Sequence, residues 1–143
     1  MSWRTVETEL LKIITDAVPS TVKVMTADDV AELVDRHQFA PSAQLLYTGL
    51  AVQDQNAKAV AVTYKFDIAV CMRSASEQGR NGVAKLSATD LSEQLIAALM
   101  GRSISSTTRM PIKLANSPAP VAAAGYVYIP TSYEVSSVIK ATT

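Results

Sequence analysis

One cysteine, Cys71, and one histidine, His37, are all that the sequence offers of thiolate and imidazole ligands. A structural zinc site typically draws four ligands, so these two cannot build one by themselves, and a lone cysteine excludes a disulfide framework within the chain. Neither sign of charge is in excess: 13 Lys and Arg balance 13 Asp and Glu, giving zero formal charge and a pI near 6.6. A nucleic-acid binder normally shows a basic surplus, so this balance removes the electrostatic case for one. Long apolar runs are missing too. No stretch approaches the roughly 18 residues of a membrane span. Glu7, Glu9, Lys12 and Asp16 break up residues 2–18, which therefore lack the ~7–15 apolar residues of a secretory signal. The unpaired Cys71 fits a reducing compartment, and the expectation is a soluble chain made in the cytoplasm, with no metal, cofactor or membrane partner. Aromatic residues number eight against 21 alanines, which implies a thin core and a surface completed in part by another subunit.

What is present is the composition of one globular domain over residues 1–143, with 48% hydrophobic and 18% charged residues. Trp3, Val6, Leu10, Ile13 and Ala17 recur at three- and four-residue spacing and predict an amphipathic helix, capped by Ser2 and ended by Pro19 and Ser20. A short strand over Thr21–Met25 follows. Thr26 then caps a second helix reaching His37, with Asp28 and Asp29 in its first turn, where the helix dipole favours negative charge. Ser42–Gly49 reads as a strand and Ala51–Lys58 as a surface turn. From Val60 to Met72 the even positions are apolar and the odd positions small or charged. This alternation predicts a strand of about 40 Å, covered on one side only and paired antiparallel. Residues 74–82 form a polar loop, and Val83–Met100 returns to helical spacing, with Gly101 where a helix C′ residue belongs. Residues 102–109 read as polar and exposed, Met110–Ala115 as weakly alternating around Ile112 and Leu114, and 116–125 as a connection. Tyr126–Ile139 closes the chain as a long strand, with Pro130 arguing for an edge or a bulge. The fold class is α+β: a mainly antiparallel β-sheet with two to three α-helices packed on one face.

Candidates for chemistry each have a plainer role. Helix capping explains Asp28 and Asp29. Asp67 beside Lys65 is a sheet-surface charge, and His37 has no nucleophile motif with it. No G-x-S-x-G occurs, and the GRNG of residues 79–82 matches neither a Walker A loop nor a dinucleotide fingerprint. Cys71 alternates with apolar neighbours and lacks a basic group to lower its pKa. No catalytic, cofactor or metal residue is assigned, and no enzyme activity is expected. Charge is distributed unevenly along the chain. Residues 1–57 hold four basic and eight acidic residues, and residues 58–143 hold nine basic and five acidic. Such halves suit head-to-tail contacts between copies, which close into rings when the rotation permits.

The order of elements, carried by Pro41–Gly49, Tyr64–Arg73, Leu91–Gly101 and Tyr126–Val138, resembles the tail terminator and tail completion proteins of Mu-like contractile-tailed phages and related tail-like particles. The resemblance spans nearly the whole chain and includes no chemical motif. It implies a homo-oligomeric ring, a hexamer, at the head-proximal end of a phage tail, located in the virion and assembled in the host cytoplasm. Such a ring stops tail tube and sheath polymerisation and offers a head-tail joining surface. Its partners are other copies of the chain, tail tube and sheath subunits and head connector proteins, with only transient contact to DNA in the lumen. Within that picture the polar loops carry the subunit-interface candidates Arg80, Arg102 and Arg109, whose planar guanidinium groups suit carboxylates on the next subunit. Two other readings stay open: an adaptor domain binding one partner through a β edge near Pro130, and another connector or tube subunit of the same particle.

Overall fold

The computed structural model describes residues 3–26, 41–73, 83–104, 111–123 and 125–142. Along these the chain forms α1 (Trp3–Ala17), β1 (Lys23–Thr26), β2 (Ser42–Gln55), β3 (Ala59–Arg73), α2 (Val83–Leu99), β4 (Lys113–Ala115), β5 (Val121–Ala123) and β6 (Tyr126–Lys140). The architecture is α+β, a mostly antiparallel sheet carrying two helices among the described residues. The Ser2 cap, the loop over 74–82 and the helix expected after Thr26 lie outside those residues. Thr26 itself ends β1.

Strand order is β1-β2-β3-β6-β4, with β5 also on β6. β3 is antiparallel to both β2 and β6 along almost its whole length, and β1 lies parallel to β2. The alternation read from Val60 to Met72 sets the faces. Val62, Tyr64, Phe66, Ile68 and Val70 are buried beneath Val6, Leu10, Ile13 and Ile14 of α1 and Ala88, Leu91, Leu95 and Leu99 of α2. Each fully buried side chain of this kind contributes about 1.5–3 kcal/mol, so the helix-to-sheet layer accounts for most of the fold's stability. Gln94 Nε2 donates to the Ala17 carbonyl at 2.6 Å, satisfying one of the open acceptors at the end of α1.

The expected one-sided cover holds for only part of the sheet. Ser42, Gln44, Ala69 and Cys71 point to the face opposite the helices and are also buried, with Gln44 donating to Ser42 Oγ at 3.2 Å. Other expectations are corrected locally. The turn assigned to 51–58 shrinks to Asn56–Lys58, because Asn56 Oδ1 accepts from the amides of both Lys58 and Ala59 and closes a tight hairpin. Ile104, inside a stretch read as polar and exposed, is only 2% exposed and belongs to the core. In the weakly alternating stretch around Ile112 and Leu114, Ile112 is buried but Leu114 is 40% exposed, β4 being a three-residue strand at the sheet margin. The segment 116–125, read as a connection, contains β5.

Pro130 neither bulges nor sits on an outer strand. Its register with Ala69 of β3 is unbroken. β4 pairs with Ser132–Glu134 and β5 with Tyr126–Tyr128, so Pro130 falls in the gap between them. The Ser132 amide, two residues on, donates away from β3 to Ser117 Oγ at 2.9 Å. By the two-residue period of a strand, the donor that proline lacks would have faced that same gap. Gly101 has φ +75° and turns the chain out of α2, so that its amide reaches the Ile112 carbonyl at 3.1 Å.

Candidate assembly surface

The three central strands are longer than the helices that cover them. β2, β3 and β6 have 14, 15 and 15 residues, and α1 and α2 have 15 and 17. At about 3.3 Å per strand residue and 1.5 Å per helix residue, the strands run to roughly 50 Å and the helices to roughly 25 Å. Trp3, in the first turn of α1, packs on β2. Its ring stacks on Tyr47 with centroids 4.3 Å apart and planes 7° from parallel. Tyr47 in turn meets Phe66 at 5.4 Å and Tyr64 edge-on at 6.3 Å. Arg4 lies over the outer face of Trp3 at 4.6 Å. Beyond this aromatic cluster β2 continues through Leu50 and Val52, which are 48% and 56% exposed although their β3 partners Tyr64 and Val62 are buried.

Among the described residues the far end of β2 also has an open margin. β1 pairs with β2 only as far as Leu45, and β4 with β6 only over Ser132–Glu134. Among the described residues no further strand lies beside 49–55 of β2. Unpaired amides and carbonyls along such margins are templates for another strand. Register shifts at Thr48 and Gln53 bend the β2 margin, the usual way a sheet restricts what joins its edge. Gly49, at φ +132°, follows the first of these bulges. At the tip, the Gln55 amide is tied to Asp54 Oδ1 at 2.9 Å.

The face away from the helices is polar in its middle. Glu134 stands in register between Lys65 and Lys113. Ser132 Oγ donates to Asp67 Oδ1 at 2.7 Å, which agrees with the reading of Asp67 as a sheet-surface charge. A shallow depression of about 430 Å³ runs over Thr63, Lys113, Glu134 and Ser136. A second, of about 400 Å³ and more apolar, lies over Leu46, Ala69, Val121, Tyr128 and Pro130.

Of the predicted interface arginines, Arg80 and Arg109 lie outside the described residues. Arg102 is exposed at the end of α2, with its backbone held by Leu99 and Ile112. It borders a groove shared with Glu9, Lys12 and Asp16 of its own α1, so acidic groups stand near it within one subunit. Glu9 Oε2 is buried there with no hydrogen-bond partner among the described residues. His37, Asp28 and Asp29 are likewise outside the described residues, and Cys71 is fully buried.

Three tyrosines of the described residues have displaced pKa values. Burial pushes Tyr133 up, partly offset by the Thr131 hydroxyl 3.4 Å from its oxygen. Burial likewise raises Tyr64, with the nearby Tyr47 adding to the effect, and raises Tyr47 itself. Among the described residues no group of three or more His, Cys, Asp or Glu is placed to hold a metal ion, and no helix is long and apolar enough to cross a membrane. The far end of β2 escaped the sequence reading, although its signal was present: Leu50 and Val52 alternate with Gly49, Ala51 and Gln53, the period of a strand.

A strand margin left open among the described residues, with Leu50 and Val52 exposed along it, is the kind of surface that meets other proteins. The family model for the phage tail terminator protein matches residues 6–143, and the chain belongs to that family, as a structural protein of a phage tail. No curated protein matches the chain.

Proposed function

We propose that copies of this chain form a ring at the head-proximal end of the phage tail, where the ring ends polymerisation of the tube and sheath and presents the surface that joins the head. Membership of the terminator family supports the location. The observation that carries the oligomer is the far end of β2, with its exposed Leu50 and Val52 and a margin that is open among the described residues. A closed ring terminates a polymer in a simple way. Each copy satisfies its lateral contacts with its neighbours, and the ring's outer face differs from the tube face it covers. The partners are then the tail tube and sheath subunits on one side and head connector proteins on the other, with DNA passing through the lumen without specific contact. Assembly takes place in the host cytoplasm. The excess of acid in residues 1–57 and of base in 58–143 suits contacts between unlike surfaces, and Arg80, Arg102 and Arg109 are the candidates for the basic side.

Light scattering coupled to size-exclusion chromatography, over a concentration series and with negative-stain imaging, tests this reading. A closed particle near six times 15.3 kDa without longer stacks is the expected result. A monomer at every concentration, or open stacks of growing length, contradicts it.

A further inference from the structure

We infer that neighbouring copies meet through an anchor and its seat: Met100 and Arg102, at the end of α2 in one copy, dock in the apolar depression on the next copy's sheet, on the face away from its helices. The inference rests on the ring reading and names its contact. Met100 is 54% exposed, although Leu99 beside it is fully buried, and Arg102, two residues on, is exposed as well. A large apolar side chain next to a guanidinium suits the anchor of an interface. The depression is the matching seat. Its volume of about 400 Å³ lies over Leu46, Ala69, Val121, Tyr128 and Pro130, with the Asp67 carboxylate among them. Val121 is itself 53% exposed there. The thioether of a methionine packs well against an aromatic ring such as that of Tyr128. Ser132 Oγ donates to Asp67 Oδ1 at 2.7 Å and orients the carboxylate. A carboxylate accepts at about four lone-pair positions, so Asp67 has room for a guanidinium too. Within its own subunit Arg102 borders Glu9, Asp16 and Lys12, a groove of mixed charge that leaves it exposed. Direction follows from the sheet. α2 packs on the side of Phe66, Ile68 and Val70, and by alternation Asp67 and Ala69 point to the other side. Anchor and seat are therefore different surfaces on opposite sides of one subunit, so the contact runs head to tail and repeats from copy to copy until the rotation closes it. Leu50 and Val52 point to the same side as α2, so the neighbour approaches from the side that bears both.

Cysteine cross-linking of the assembled protein tests the contact. Met100 and Val121 are both about half exposed, so Met100→Cys and Val121→Cys leave the core untouched, and the native Cys71 is fully buried. The expected result is a covalent ladder up to the full ring under mild oxidation in the double variant, and none in either single variant. Arg102→Glu should weaken assembly by about tenfold or more, and adding Asp67→Lys should restore most of that loss. A ring seen by light scattering with no cross-link in the double variant overturns the contact and leaves the ring reading intact. Covalent dimers from Met100→Cys alone overturn it in favour of a two-fold pairing. Absence of rescue by Asp67→Lys overturns the pairing of Arg102 with Asp67. Failure of the unsubstituted chain to form a ring at any concentration overturns both the contact and the ring.

Discussion

The two ends of the same three strands are treated differently. At one end Phe66, Ile68 and Val70 are at most 1% exposed beneath two helices, and the opposite face is closed over Ala69 and Cys71 as well. At the other, β3 and β6 stay covered, with Val62, Val135 and Ser137 at most 2% exposed, while β2 carries Leu50 and Val52 about half exposed. The sequence pattern is continuous across the border, so alternation by itself does not say which end is core and which is contact surface. Position across the sheet decides it: at the height of Leu50 and Val52, β3 and β6 are covered and β2 is not. The covered strands stabilise the subunit, and the far end of β2 is the surface proposed for assembly.

Substitutions that separate folding from assembly sharpen this contrast. The largest effect belongs to the covered end: Phe66→Ala should cost about 3–5 kcal/mol and lower the denaturation midpoint steeply. A loss under 1 kcal/mol there would mean that the helices do not seal this layer. Gly101→Ala comes next, at about 1–2 kcal/mol for an L-residue held in a left-handed conformation. A Cβ at Gly101 meets no atom within 4 Å, so the cost is one of backbone alone, and Gly101→Asn should recover part of it.

How far these features were legible in the sequence follows the same division. Period-two alternation from Val60 to Met72 and the three- and four-residue spacing of Val6, Leu10 and Ile13 were enough to give β3, α1 and the α+β class, because burial on one face writes a period into the chain. The spacing through Leu91, Leu95 and Leu99 gave α2. The far end of β2 was missed because Asp, Gln and Asn residues near 53–56 look like a turn, and only the tertiary course of β3 shows that β2 continues to Gln55. Ile104 was hidden among serines, and Pro130 was placed at an edge because its ladder gap depends on two short strands, β4 and β5, whose signals are weak. Interface arginines were chosen from loop composition alone. The structure sets Arg102 beside acidic groups of its own subunit, a proximity that no spacing along the chain reveals.

A third prediction concerns pH. Burial raises the Tyr133 pKa above its ordinary value of 10. Stability is therefore fully present below pH 10 and falls as pH rises from there through the folded-state pKa, since the unfolded tyrosine ionises first. Denaturation midpoints measured from pH 8 to 11 should fall less for Tyr133→Phe than for the unsubstituted chain. Equal falls would place the alkaline sensitivity elsewhere, with Tyr64 the next group to substitute. The smallest effect on the fold is expected at the far end of β2, where Leu50→Ser with Val52→Ser should change subunit stability by roughly 0.5 kcal/mol or less per site while weakening assembly at least tenfold. Arg102→Glu should likewise leave the subunit folded and weaken assembly if Arg102 meets a neighbouring copy. Unchanged assembly would confine Arg102 to its own groove.

The most direct test of the division between the two ends is light scattering on the unsubstituted chain and the Leu50→Ser, Val52→Ser double variant at matched concentrations, with circular dichroism on both. The account predicts a closed ring from the first and a folded monomer of 15.3 kDa from the second. A ring of the same mass from both proteins would show that the far end of β2 is not the contact surface.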